Sequence, residues 1–205
     1  MKTWTRFGLG ALLFLIGVTS IAAQPLSNDA VAALRSGGYV LVMRHAHSPR
    51  ELPDAAAANR DNVKLERQLD AEGRDAAVAM GTAVRNLKIP IGEIVTSPTL
   101  RAIETVRALG LGEARTVEEL GDGGTNMLPD AEGRRSAWLR AKVREPVPRS
   151  VNILIVTHFP NLRGAFGDAA ADMADGETLI VHSHDGRLDI VGRLRIDEWS
   201  LLSAD

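Results

Sequence analysis

Residues 39–50 read YVLVMRHAHSPR, apolar without a break from Tyr39 to Met43 and abruptly polar from Arg44 onward. A short apolar run rich in β-branched and aromatic residues, with no alternation, is the pattern of a strand buried on both faces. Strands of that kind belong to sheets covered by helices on both sides. Arg44 and His45 would then stand at the carboxyl end of such a strand. The same pattern returns in VNILIVTH, residues 151–158, which ends on His158, and in shorter form in EIVTSP, residues 93–98.

Between these runs lie segments with helical spacing. Residues 28–38 form a short predicted helix opened by Asn28 and closed by Gly37 and Gly38. From Asp70 to Leu87 the apolar positions Ala76, Met80, Val84 and Leu87 recur at spacings of four and three, an amphipathic helix despite Gly73 and Gly81. Residues 99–110 and 131–144 are predicted as further helices, 114–120 as a strand and 121–130 as a loop. In the tail, two strand-like runs flank Asp185-Gly186, a dipeptide favoured in tight hairpin turns. The predicted fold is therefore α/β: a three-layer sandwich with a mostly parallel central sheet, helices on both faces and a C-terminal antiparallel hairpin.

The N-terminus carries Lys2 and Arg6 ahead of an apolar run from Phe7 to Val18, followed by Ser20, Ala22 and Ala23. This is the order of a secretory signal peptide, and the apolar run falls short of the ~20 residues that span a bilayer. Residues 1–23 are thus expected to be cleaved, the alternative being a membrane anchor, and residues 24–205 to form a single domain in the periplasm or outside the cell. Without the leader the chain has 22 basic and 26 acidic residues, which argues against nucleic acid as a partner. There is no cysteine, so neither a disulfide framework nor a thiolate nucleophile or ligand is available.

In open α/β sheets ligands bind beyond the carboxyl ends of the strands, where helix N-termini offer free N–H groups. Three polar clusters pass that test: Arg44 with His45, Ser97 with Arg101, and His158. Arginine forks and helix N-termini suit a phosphoryl group. Pro160 is compatible with a helix first turn, which places His158 just ahead of that helix. With no cysteine and no P-loop pattern, histidine is the natural nucleophile.

These residues resemble the histidine phosphatase superfamily, which includes the cofactor-dependent phosphoglycerate mutases. VMRHAHS is similar to its arginine-histidine-glycine motif, LDAEGRDAA to its helix start, SPTLRAIETV to the segment with its second phosphate arginine, and IVTHFPNLRG to that of its second histidine. The resemblance implies His45 as the nucleophile that becomes phosphohistidine, with Arg44, Arg101 and His158 holding the phosphoryl oxygens. It also implies a general acid, for which Asp122 is the first choice and Glu119 the second. Ala46 stands where the motif has glycine. Neither a cofactor nor a metal is called for, and the expected partner is a phosphorylated small molecule, lipid or protein, with no stable membrane insertion after the leader is removed.

Rival readings are a phosphate- or sugar-phosphate-binding protein without turnover, a phosphomutase, and a metal-dependent hydrolase using His45, His47 and His158. Two arginines beside a metal cation would oppose it. The long irregular segment 46–68 suggests a functional connection, with Arg50, Asn59 and Arg60 as candidates for a lid. His182 and His184 are expected as exposed hairpin residues, and Trp138 and Trp199 as packing residues.

Overall fold

The computed structural model describes residues 28–122, 131–184 and 186–203. The leader, most of the 121–130 loop and Asp185 lie outside the described residues. The strands are β1 (Tyr39–Arg44), β2 (Ile91–Thr96), β3 (Arg115–Thr116), β4 (Asn152–Thr157), β5 (Thr178–His184) and β6 (Arg187–Leu194). The helices are α1 (Asn28–Ser36), α2 (Ala71–Asn86), α3 (Leu100–Leu109), α4 (Ala131–Lys142) and α5 (Phe159–Phe166).

The strands form one sheet in the order β3-β2-β4-β1-β5-β6. The pairs β1/β4, β2/β4 and β2/β3 are parallel, while β5 pairs antiparallel with both β1 and β6. This is the predicted α/β sandwich with its antiparallel edge. Alternation on the central strands divides the core in two. Leu41 and Met43 of β1 and Leu154 and Val156 of β4 pack with α1, α2 and α3, whereas Val40, Val42, Ile153 and Ile155 pack with α4 and α5. Strands apolar on both faces are what such a double covering demands.

The connections position the site. β1 continues toward α2 on one face, and the neighbouring parallel strand β4 continues directly into α5 on the other. Two adjacent strands whose chains leave in opposite directions open a crevice beyond their carboxyl ends. Arg44, His45 and His158 stand at that crevice.

The two glycines in α2 are close-approach positions rather than weaknesses in the helix. A Cβ on Gly73 would lie 2.1 Å from the carbonyl oxygen of His47, and one on Gly81 would lie 1.8 Å from that of Leu109. Both are far inside van der Waals contact, so α2 can lie against the 46–48 turn and the end of α3 only with hydrogen at these positions. Asp70 caps the helix, accepting from the Gly73 N–H at 2.8 Å.

Three expectations shift in detail. On α2 the fully buried positions are Gly73, Ala77, Met80, Gly81 and Val84, so Ala77 rather than Ala76 faces the core. The strand expected over 114–120 is only the two residues of β3, followed by a 3₁₀ turn, Glu118–Leu120. Val117 and Leu120 are buried while Glu118 and Glu119 are exposed, a spacing of three that fits a turn and breaks the alternation a strand needs. Trp199 sits fully buried in a 3₁₀ turn, Glu198–Leu201, and Trp138 packs partly buried against the α4/α5 side of the core. No helix among the described residues is long and apolar enough to cross a membrane.

Candidate active site

His45 follows β1 directly, and its N–H still bonds the Thr157 carbonyl of β4 at 3.0 Å, so sheet pairing fixes its backbone. His158 is the residue ahead of α5, where β4 turns into the helix, and Arg101 lies in the first turn of α3. All three side chains are buried. The rings of His45 and His158 stand 5.2 Å apart, centre to centre. Arg101 bridges them: its Nε lies 3.2 Å from His45 Nε2 and its Nη2 lies 3.2 Å from His158 Nδ1.

The His45 tautomer follows from its neighbours. Nδ1 lies 2.8 Å from the Ala46 carbonyl, which only accepts, so Nδ1 carries the proton and donates. Nε2 therefore holds a lone pair, which takes a hydrogen bond from the permanently charged Arg101. Burial, with Arg101, Arg44 and Arg67 close by, pushes the imidazole pKa down to about 3. His45 is neutral at any ordinary pH, with a nucleophilic nitrogen directed at a cation. Burial and the same arginines also hold His158 well below the usual histidine range.

Arg44 is clasped from the segment preceding β5. Its Nη1 donates to the Met173 carbonyl at 2.7 Å, its Nη2 meets Asp175 at 2.5 Å, and its guanidinium lies over the Phe159 ring at 5.6 Å. Its Nε is buried and has no hydrogen-bond partner among the described residues. The clasp is anchored by Glu177, which pairs with Arg193 of β6 at 2.7 Å, and by the Gly176 N–H, which donates to the His45 carbonyl at 2.9 Å. The terminal hairpin thus reaches the crevice through Arg193, which also pairs with the pocket-lining Asp172 at 2.8 Å.

The pocket is about 460 Å³, and Arg44, His45, Arg67, Arg101, Asp122 and His158 line its polar part. Asp122 pairs with Arg101 Nη2. The turn that presents it is held by Thr157 Oγ1, which donates to the Leu120 carbonyl at 2.9 Å, and by Asn161 Nδ2, which donates to the Gly121 carbonyl at 2.8 Å. Glu119 is exposed on the 3₁₀ turn and does not line the pocket.

Arg67 was not singled out in the sequence, yet it lines the pocket. Its Nε and Nη2 donate to the carbonyls of Pro49 and Ser48 at 2.7 and 2.6 Å. It sits in the irregular 46–68 segment, whose length signalled function but whose residues carry no periodicity that would identify one arginine. Of the lid candidates, Arg50 reaches the rim of the pocket. Asn59 instead donates to Glu104, away from the pocket, and Arg60 is exposed outside it.

The set His45, His47 and His158 is not assembled. β1 ends at Arg44, so His45 and His47 share no strand face, and His47 turns outward to bond Asp70 at 2.8 Å. Among the described residues, His47, Asp70 and Glu72 are the one group of three that brings metal-capable atoms within 4.8 Å of one another. They lie outside the pocket, and Asp70 is already occupied in capping α2. His182 is half-buried against the Tyr39 ring, and His184 is exposed, paired with Asp189.

Among curated protein sequences none matches the chain. The model of the histidine phosphatase superfamily (branch 1) matches residues 40–193. Among solved structures, the protein histidine phosphatase SixA complexed with tungstate superposes with a TM-score of 0.57 at 20% identity, over 78% of this chain and 97% of that one. A putative phosphohistidine phosphatase SixA from Agrobacterium tumefaciens gives 0.54 at 16% identity, over 77% and 97%. A phosphoserine phosphatase mutant from Entamoeba histolytica, in complex with phosphoserine, gives 0.55 at 10% identity, over 78% and 98%. At these identities the likeness is one of fold.

Proposed function

The chain belongs to the histidine phosphatase superfamily, branch 1, and from that premise we propose that it hydrolyses a phosphomonoester or phosphoramidate through a covalent phosphohistidine on His45. The observation that carries this reading is the state of His45. A neutral imidazole has its Nδ1 proton held by the Ala46 carbonyl and its Nε2 lone pair facing a pocket lined by arginines.

In the first step Nε2 attacks phosphorus as the bond to the leaving oxygen breaks. Asp122, ionised while it pairs with Arg101, takes up a proton as the phosphoryl group draws that guanidinium away, and passes it to the leaving oxygen. The ring gains positive charge while keeping its Nδ1–H bond to Ala46, whose carbonyl stabilises it. In the second step water attacks phosphorus, the P–N bond breaks, and Asp122 takes back a proton. Neutral His45 and hydrogen phosphate result. Phosphoryl transfer asks the protein mainly for in-line positioning and cations around the equatorial oxygens. Arg101, Arg67 and Arg44, whose Nε has no partner among the described residues, are placed to supply them, and neutral His158 stands beside them. A phosphoramidate needs less help from Asp122, because its leaving nitrogen is a weaker base than an alkoxide.

The leader read in residues 1–23 supports export, so substrates in this proposal are phosphorylated small molecules, lipids or proteins of the cell envelope or beyond. The reading is tested with an aryl phosphate and a panel of envelope phosphoesters, using wild type and His45→Ala with and without chelator. Chelator-resistant, vanadate-sensitive turnover lost in His45→Ala is expected, and turnover surviving in that variant overturns the proposal.

A further inference from the structure

The second histidine is held in one tautomer by a residue that no step above uses. Ser97 follows β2 and is fully buried, and its Oγ lies 2.8 Å from His158 Nε2. The hydroxyl has a single proton, which it donates to Thr99 Oγ1 at 3.2 Å, while accepting from the Thr99 N–H at 3.2 Å. Toward His158 it can then only accept, and Thr99 Oγ1 lies farther from the same nitrogen, at 3.3 Å, so Nε2 is the protonated nitrogen. The opposite nitrogen leads to the same assignment. Nδ1 faces Arg101 Nη2 at 3.2 Å, and a guanidinium only donates. His158 therefore presents a lone pair to the pocket, as His45 does, and one guanidinium spans both.

An arriving phosphoryl dianion meets a lone pair where a donor is needed. We propose that Ser97 is a positioning residue that locks His158 with its proton on Nε2, so that His158 can hold a phosphoryl oxygen only after Nδ1 takes up a proton. Binding of a phosphate dianion is then coupled to uptake of one proton from solvent. The other groups facing the ring are Arg101 from α3, Arg44 and His45 at the end of β1, Arg67 from the 46–68 segment and Asp122 from the turn after the 3₁₀ segment. The arginines stay charged throughout. His45 keeps its single proton on Nδ1, bound to Ala46. Among the described residues Asp122 and Asp172 are the carboxylates lining the pocket, each paired with an arginine, so the proton has to be located as well as counted.

The inference rests on the phosphatase reading only in taking a phosphoryl group as ligand, and neither measurement requires turnover. Two-bond ¹H–¹⁵N spectra of the free protein report the His158 tautomer directly; a protonated Nε2 is expected, and a protonated Nδ1 overturns the assignment to Ser97. Calorimetric titration with inorganic phosphate at pH 8, in two buffers of different ionisation enthalpy, counts protons. About one proton taken up per phosphate is expected, with the ¹⁵N signal of Nδ1 showing that it lands on His158.

In Ser97→Ala/Thr99→Val, which removes both oxygens near Nε2, the ring is free to flip and present Nδ1–H, and uptake should fall toward zero. Uptake unchanged in that variant, or the proton found on Asp122 or Asp172 with none on His158 Nδ1, overturns the proposal. If phosphate does not bind at all, the phosphatase reading fails, and the free-protein spectra of wild type and Ser97→Ala/Thr99→Val still decide the role of Ser97: the Nε2 proton should be lost from part of the population only in the variant, and an unchanged tautomer there overturns it.

Discussion

Keeping His45 neutral carries a stability cost that can be measured without any substrate. In the unfolded chain His45 titrates near its ordinary 6.5, whereas the folded protein holds it at about 3. Below pH 6.5 the unfolded state binds a proton that the folded state refuses, so stability falls as pH drops through the window from 6.5 to about 3 and is complete above it. Each pH unit in that window is worth about 1.36 kcal/mol for one such group. Acidification from pH 7 to pH 5 therefore removes about 2 kcal/mol through His45 alone, or about 4 to 8 °C of Tm for a chain of this length.

His158 is shifted in the same direction and adds to the loss. The perturbation is His45→Gln, which deletes one titration and keeps a polar side chain. Urea unfolding of wild type and variant at half-unit intervals between pH 7.5 and 5 gives two stability curves. Their difference isolates His45, because carboxylates titrate equally in both. The wild-type curve should be the steeper by about 2 kcal/mol across the interval. Parallel curves would refute the argument that burial beside three arginines keeps His45 neutral.

Other consequences are equally concrete. Asp122→Asn should lower kcat for an alkyl phosphate by about 10² or more, the usual scale of general acid catalysis, and have much less effect with p-nitrophenyl phosphate, whose leaving group needs little protonation; equal losses on both would remove Asp122 from that role. Asp175→Asn should raise KM and lower kcat together by freeing Arg44, with the melting temperature nearly unchanged, as read by steady-state kinetics and thermal denaturation. Gly81→Ala should destabilise by about 1 to 3 kcal/mol, as overpacked cores do, because its Cβ would meet the Leu109 carbonyl at 1.8 Å; a neutral result would show that α2 and α3 can move apart. Trp199→Ala, at a fully buried site, should cost about 3 to 5 kcal/mol.

Much of this was legible in the chain because buried parallel strands leave a strong one-dimensional signature. The runs 39–43 and 151–156 are apolar on both faces, and that alone indicated a sheet covered twice and put Arg44, His45 and His158 at strand ends. Arg101 was legible for the same reason, in the first turn of a helix that follows a strand. The remaining features depend on contacts between segments far apart in sequence. Arg67 comes from an aperiodic connection and is fixed by two backbone carbonyls, which no side-chain pattern records. Asp175 reaches Arg44 only because the sheet sets β5 beside β1. Asp122 and Glu119 were first and second choice for the acid through the family resemblance, which fixes the segment and not which side chain faces the pocket. The 3₁₀ geometry brings Asp122 to the pocket and leaves Glu119 in solvent.

The central claim is that His45 Nε2 becomes bonded to phosphorus during turnover. Mixing the protein with substrate, quenching in alkali within milliseconds and analysing the proteolytic peptides by mass spectrometry tests it directly, because phosphohistidine survives alkali and is lost in acid. A phosphoryl group on the peptide containing His45, acid-labile and absent from His45→Ala, is the expected result. Steady turnover with no phosphorylated intermediate at any quench time, or a phosphoryl group carried on another residue, would contradict it.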